Sequence, residues 1–429
     1  MGFAQGVSAL SAAASNLDVI GNNIANSGTI GFKSGTVQFS DVYAGSRIGL
    51  GTQVSGVAQN FTSGAVQTSS RALDVAITNG DGFFRLTSPG GEISYSRNGQ
   101  FDLDKNGYIV NSTGLQVTGY SVGTNGKIAG GSPIALQMPT ASMPPKSTTL
   151  INAQFNFDSR SISIPTATKF DPTNSSTYNY ANAVTVYDSL GNSHELTTFF
   201  VKTASNSWAT YATADGIPLK ATGVLDPGTL GPPVVPGAAE KLTSGTFNFD
   251  ANGKLTTVTP TTLMDGKIKL VGLDFKNGSD PTMAFDVDVT GTTQYGNAND
   301  VKKLTQDGYT SGVLTSFGMG PDGVITGKYS NEQTYKLGQV VLSSFVNPNG
   351  LQSKGDNVWA ETSESGQPLT GAPGAGTKVG SLTSGALEGS NVDLTAELVN
   401  LIIAQRTYQA NAQTVKTQDQ VMQTLINMR

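Results

Sequence analysis

Apolar residues recur with two different rhythms along this chain of 429 residues. At the C-terminal end, from Ser390 to Arg429, they fall four and three apart. Leu394, Leu401, Tyr408, Val415 and Met422 mark one position of a heptad, and Leu398, Ala412 and Ile426 mark most of the other. Gln405 and Asp419 interrupt that second position as two flaws in the heptad. The same spacing opens the chain, where Phe3, Leu10, Leu17 and Ile24 stand seven apart with Val7, Ala14 and Gly21 between them. Stripes this narrow are coiled-coil seams rather than the broad faces of globular helices, and a seam requires another helix. The spacing predicts a helix over about 3–25, stopped by Asn26, Ser27 and Gly28 through a left-handed cap. It predicts a longer helix over 390–429, with Ser390 and Asp393 in capping-box spacing. These two helices can pair, but about 24 residues cover only part of about 37 at equal rise. The remainder of the longer seam must meet the β regions or other molecules, and the glycine-rich stretch that precedes it favours other molecules.

Between the two helices the period changes to two. Residues 28–70 read as an irregular, mostly extended connector with short strands such as Thr36–Phe39, punctuated by glycine. From Leu73 to about Val122 short alternating runs are separated by Asn79-Gly80, Asp81-Gly82, Asn98-Gly99 and Asn106-Gly107, which predicts strands joined by tight turns. Pro144-Pro145 marks a boundary. A second β-rich block follows to Val289, with a Pro232–Pro236 loop inside it and a polar passage from Gly291 to Gln306 after it. Strands resume near Gly312 and run to Val346, before a glycine-rich connector over 366–385.

The expected architecture is nested: α-helical, coiled-coil-like paired termini and two mainly-β domains, the outer inserted into the inner. Residues 1–27 and 386–429 form the terminal helical domain and 28–71 with 366–385 the connector. Residues 72–145 and 291–365 form the inner β domain and 146–290 the outer one.

Composition narrows the functional classes. Charged residues are only 13% of the chain, half the usual share, and the net charge is -5 with no basic run, which argues against nucleic acid or an anionic membrane as partner. Cysteine is absent, which removes disulfides, thiolate metal sites and cysteine catalysis. No stretch has the length of a membrane span, no signal peptide is expected, and Gly6 stands where a myristoylation motif needs Ser or Thr.

Asp102 to Gly107 matches the opening of a calcium loop, but Thr113 occupies the position of the bidentate Glu and no helices flank it, so a hairpin turn is expected. The lone histidine, His194, cannot build a zinc site and is read as structural. Residues 371–378 lack the order and context of a phosphate-binding loop. No catalytic, cofactor or metal site is expected.

Asn16 to Asn26, followed by Thr29-Ile30-Gly31-Phe32-Lys33, resembles the N-terminal signature of the bacterial flagellar axial proteins, the rod, hook and hook-associated subunits. Asn22, Asn23, Asn26, Thr29, Gly31, Phe32 and Lys33 carry it. Arg71–Ile77, Gly82–Phe84, Tyr95–Phe101, Ser390–Leu394, Glu397–Val399, Gln405, Arg406, Tyr408, Asn411 and Ala412 extend the match. The large middle insertion, with Tyr329–Gln333, Leu337–Gln339 and Gly355–Trp359, is similar to the hook members. The resemblance implies a non-enzymatic, extracellular subunit of the flagellum. It would leave by the flagellar type III export apparatus and polymerise into a curved tube, the universal joint between rod and filament. Its implied partners are copies of itself and the rod, hook-cap and hook–filament junction proteins. Two alternatives stay open at this point: another axial subunit of the distal rod or hook-associated kind, and an extracellular β-rich adhesin or glycan-binding protein.

Overall fold

The computed structural model describes residues 2–42, 51–123, 126–165, 168, 170–219, 243–259, 267–273 and 275–427. The Pro232–Pro236 loop lies outside them. The chain is mostly β with a helix at each end. It forms two compact units, one from residues 1–140 and 314–429 and the other from 141–313.

The first unit has α1 (Gly2–Ala25), a hairpin of β1 (Gly35–Asp41) and β2 (Thr52–Gln59), a β body, and α2 (Leu394–Asn427). Strands from both flanking segments share the largest sheet. Gly338, Gln339 and Val340 pair with Ser121, Tyr120 and Gly119, and the strand Gln116–Ser121 also pairs with Phe83–Thr87. Val75, Ile77, Phe84, Leu86, Val117, Ile325, Val340 and Leu342 form its core, and Phe83, Tyr95, Phe345 and Trp359 form a second, aromatic cluster. The calcium-like sequence is a turn: Asp104 Oδ1 accepts from the Asn106 and Tyr108 amides, both at 2.8 Å, and Gly107 takes the left-handed conformation.

Two stretches expected as connectors are ordered into β structure. Gly35–Asp41 and Thr52–Gln59 pair along their whole lengths rather than forming short pieces. Within 366–385, Leu369–Gly371 pairs with Leu342–Ser344, and Ser381–Ser384 pairs with Val75–Thr78. The glycines there serve close approach. A Cβ on Gly380 would stand 2.6 Å from the Thr78 carbonyl oxygen and 2.9 Å from Gly80 Cα, so chain and body meet backbone to backbone.

The second unit is two sheets face to face, with one core drawn from both. Leu150–Asp158 is central in the first sheet and buries Ile151, Ala153, Phe155 and Phe157. The second is an antiparallel run of Tyr180–Tyr187, Ser193–Ala204, Ser207–Ala214, Thr243–Phe249 and Leu255–Thr259. Trp208 is buried between them, stacked on Phe157, and its indole N–H donates to Gln294 at 2.7 Å. This unit extends beyond the expected limit of 290. Thr293–Tyr295 and Asp300–Gln306, expected as a polar passage, both pair with Leu150–Asp158. Val301 and Leu304 pack against the core but stand three apart across a bulge, so the period of two that would reveal the strand is broken.

His194 lies against Phe275, 3.5 Å between ring centroids, with Asp215 and Asp188 at its two ring nitrogens.

Candidate assembly surface

Asp393, not Ser390, is the N-cap of α2. Its carboxylate accepts from the Thr395 amide at 2.9 Å and the Ala396 amide at 3.1 Å, and Glu397 N donates to its carbonyl. The end of α1 also differs from expectation. Residues 26–28 are not left-handed; Asn26 and Ser27 instead donate back to the Asn22 and Ile24 carbonyls, and the first left-handed residue is Gly31. Side-chain amide and hydroxyl groups therefore satisfy carbonyls that a glycine cap would otherwise reach.

α1 lies against α2 and against the β1–β2 hairpin. On α1 the face turned inward is one residue earlier than the apolar seam, and on α2 it takes in seam residues together with their neighbours. On α1, Gly6, Ala12, Ala13, Ile20 and Asn23 are buried, while Phe3 and Val7 are exposed and Leu10, Ala14, Leu17 and Ile24 are half-buried. On α2, Ala404 is buried and Glu397, Leu401, Asn411, Ala412, Val415 and Gln418 are half-buried. Leu394, Leu398, Tyr408, Met422 and Ile426 remain exposed, as do Gln405 and Asp419. The reason is size: the Gly6 α-carbon comes so near α2 that an added Cβ would stand 2.7 Å from Val415 Cγ2. Small residues let the backbones approach, and the larger apolar side chains are displaced to the flanks.

The outward side of α2 gains residues that the heptad count omits. Val399, Ile402 and Ile403 are each more than half exposed, at 51%, 51% and 57%. With Leu398, 45% exposed, they form an apolar band over the first three turns. A cleft of about 570 Å³ runs between α1, α2 and the hairpin, lined by Ala9, Val37, Phe39, Asn400, Thr407 and Ile403 among others, so Ile403 is the edge of the band that borders the cleft.

The signature residues do different work. Asn23 donates to the Gly35 carbonyl and accepts from the Gly35 amide, both at 2.9 Å, which pins the first strand to the helix. Asn22 and Asn26 bond to each other, and Thr29 donates to Asn26 at 3.1 Å. Phe32 is half-buried.

Lys33 is fully buried and donates to Glu388 Oε1 and to the Thr62 carbonyl, both at 2.7 Å. Arg97, also buried, reaches Glu388 Oε2 at 3.4 Å and stacks over Phe83. Burial pushes the Lys33 ammonium below the ordinary lysine value, against the attraction of Glu388, and pushes Arg97 in the same direction. Asn391 accepts from the Ser34 amide at 2.8 Å and donates to the Asn60 carbonyl at 2.7 Å. Most of the signature is therefore an internal tie between the chain ends and the β body. Glu388 escaped sequence reading because its partners lie 355 and 291 residues away.

Family models match along the chain: a flagella basal body rod protein model over residues 5–33, a flagellar hook protein FlgE/F/G D1 domain model over 76–172, a flagellar basal body protein FlaE D2 domain model over 156–309 and a flagellar basal body rod FlgEFG protein C-terminal model over 383–428. The flagellar hook protein FlgE of Escherichia coli K12 is 46% identical over the full length of both chains. The chain belongs to the flagellar hook protein family. Hook proteins of Treponema pallidum and Borreliella burgdorferi are 31% and 30% identical, each over 99% of this chain and 98% of their own. The solved flagellar hook protein FlgE2 of Helicobacter pylori aligns with 75% of this chain and 99% of its own at 13% identity and a TM-score of 0.48. Within the hook-protein framework, the N- and C-terminal models coincide with α1 and α2, where the exposed apolar residues lie.

Proposed function

We propose that this chain is the subunit that polymerises into the flagellar hook, the flexible tube coupling rod and motor to filament, and that the outer face of α2 is its principal self-contact. The observation that carries this reading is the band of Leu398, Val399, Ile402 and Ile403, left exposed after α1 has taken its place. Contiguous apolar surface of this kind marks an interaction site. In the polymer, α1 and α2 form a coiled-coil-like pair lining an inner tube, and residues 141–313 form an outer domain inserted into the inner one. The terminal helical, connector, inner β and outer β roles assigned from sequence apply with the outer unit widened to 313.

The further partners are the rod, hook-cap and hook–filament junction proteins, and the route is the flagellar type III export apparatus to the cell exterior. The role is structural, not enzymatic. A surface low in charge suits a joint, because few directional ion pairs bind neighbours in one register. Electron microscopy of the purified protein under polymerising conditions tests the reading: curved tubes of hook width are expected, and amorphous or absent polymer overturns it.

A further inference from the structure

We infer that the buried Lys33–Glu388–Arg97 cluster is a positioning latch, which fixes the direction in which both terminal helices leave the β body and so governs assembly rather than monomer stability. The inference rests on the hook reading for its link to assembly. Lys33 follows the last residue of α1 by eight positions, and Glu388 precedes the first residue of α2 by six. One carboxylate therefore holds the exits of both helices, and Arg97 anchors it to the body.

Each oxygen of Glu388 has assigned partners. Oε1 accepts from Lys33 Nζ at 2.7 Å and from the Gly64 amide at 3.0 Å; Oε2 faces Arg97 Nη1 at 3.4 Å. The Glu388 carbonyl accepts from the Gly31 amide at 2.8 Å. Three segments, 31–33, 62–64 and Arg97, thus converge on a single residue. The three charged side chains are at most 1% exposed.

Ion clusters shut away from water are inefficient stabilisers, because desolvation offsets most of the attraction, and apolar replacements of similar volume are often neutral or better. Their charge-assisted bonds are directional, however, and tolerate one geometry. The other ties around it are hydrogen bonds rather than apolar packing: Val66–Thr68 pairs with Ala386–Glu388 and Asn391 joins Ser34 to Asn60, while Phe61 and Val392 are the apolar side chains in residues 60–64 and 389–393.

The test compares wild type with Glu388→Gln and with the apolar triple variant Lys33→Met, Arg97→Met, Glu388→Leu. Glu388→Gln leaves two buried cations facing a neutral amide and can fail simply by unfolding, so the triple variant decides. Its urea midpoint should equal or exceed that of wild type. The protein concentration needed to form tubes should rise at least about tenfold, with irregular curvature, while Lys33→Arg assembles as wild type.

The chain has no cysteine, so spin labels on Thr395→Cys and Gln100→Cys read the direction in which residues 388–395 leave the β body, without any polymer and whether or not the rest of α2 is helical. The triple variant should broaden that distance distribution. An unbroadened distribution, wild-type tubes from the triple variant, or a markedly lowered urea midpoint each overturns the latch. Failure of wild type to form tubes counts against the hook reading, and the label distances still judge the latch.

Discussion

Gly31 sits at a φ of +71°, and a Cβ there would meet Asn98 N at 2.7 Å and the Arg97 carbonyl carbon at 2.9 Å. Both neighbours are backbone, so nothing can rotate away. Gly31→Ala should cost about 2–4 kcal/mol, adding left-handed strain of about 1 kcal/mol to overpacking of about 1–3 kcal/mol, read as a lowered urea midpoint. Asp307 illustrates a charge effect at the same scale. Burial alone would raise its carboxyl, but bonds from Lys146, the Thr149 hydroxyl and the Thr149 and Leu150 amides hold it well below the ordinary carboxylate range. Asp188 is depressed likewise by the Asn192 and Asn277 side chains and the Asn192 amide, against its own burial.

A carboxylate whose folded value is depressed contributes stability that is complete above its unfolded value, near 4, and is lost as pH falls toward the folded one. The unit formed by 141–313 should therefore lose unfolding free energy steadily below about pH 4. Asp307→Asn should flatten that slope, as urea titrations at pH 5, 4, 3 and 2 would read. Of these residues, Gly31 was legible as part of a signature. The cause of its restriction was not, because Asn98 belongs to a distant turn.

At the scale of elements, the two faces of α2 separate folding from assembly. Ala404→Leu adds bulk to the buried face and should destabilise the helix pair by about 1–3 kcal/mol. Ile402→Asp, on the exposed band, should leave the unfolding of the β units unchanged within about 0.5 kcal/mol yet abolish tube formation in sedimentation assays. Equal loss of assembly and stability from Ile402→Asp would return that residue to the monomer's core.

Both helices and most strands were legible because they carry strong periods and, between strands, Asn-Gly or Asp-Gly turns. The inward face of the helix pair was not. Apolar spacing locates large side chains, whereas Gly6, Ala13, Ala404 and Asn411 pack by being small. Likewise, the strand Asp300–Gln306 turns Val301 and Leu304 against the core three positions apart across a bulge, so its pairing with Leu150–Asp158 leaves no period of two to read.

For the whole molecule, the question is whether the helices exist before assembly. α1 and α2 contain 24 and 34 residues, and among the described side chains of α2 Ala404 alone is buried, with Glu397, Leu401, Asn411, Ala412, Val415 and Gln418 half-buried. Such side chains bury little apolar area, at about 25 cal/mol per Å², while each ordered residue loses roughly 1–2 kcal/mol of backbone entropy. Met422 and Ile426, at the far end of α2, are 56% and 69% exposed and gain almost nothing from intrachain packing. Burying the outer band against neighbours would supply the missing term, so helix formation should be coupled to polymerisation. Circular dichroism at micromolar concentration should show the β units folded and the helical signal well below that of these 58 residues (24 + 34). The deficit should vanish in polymer pelleted from the same solution, and Ile402→Asp should keep the chain in the helix-poor state at all concentrations. Full helical content in the dilute monomer would mean that the small-residue contact suffices by itself, and assembly would then join preformed helices rather than order them.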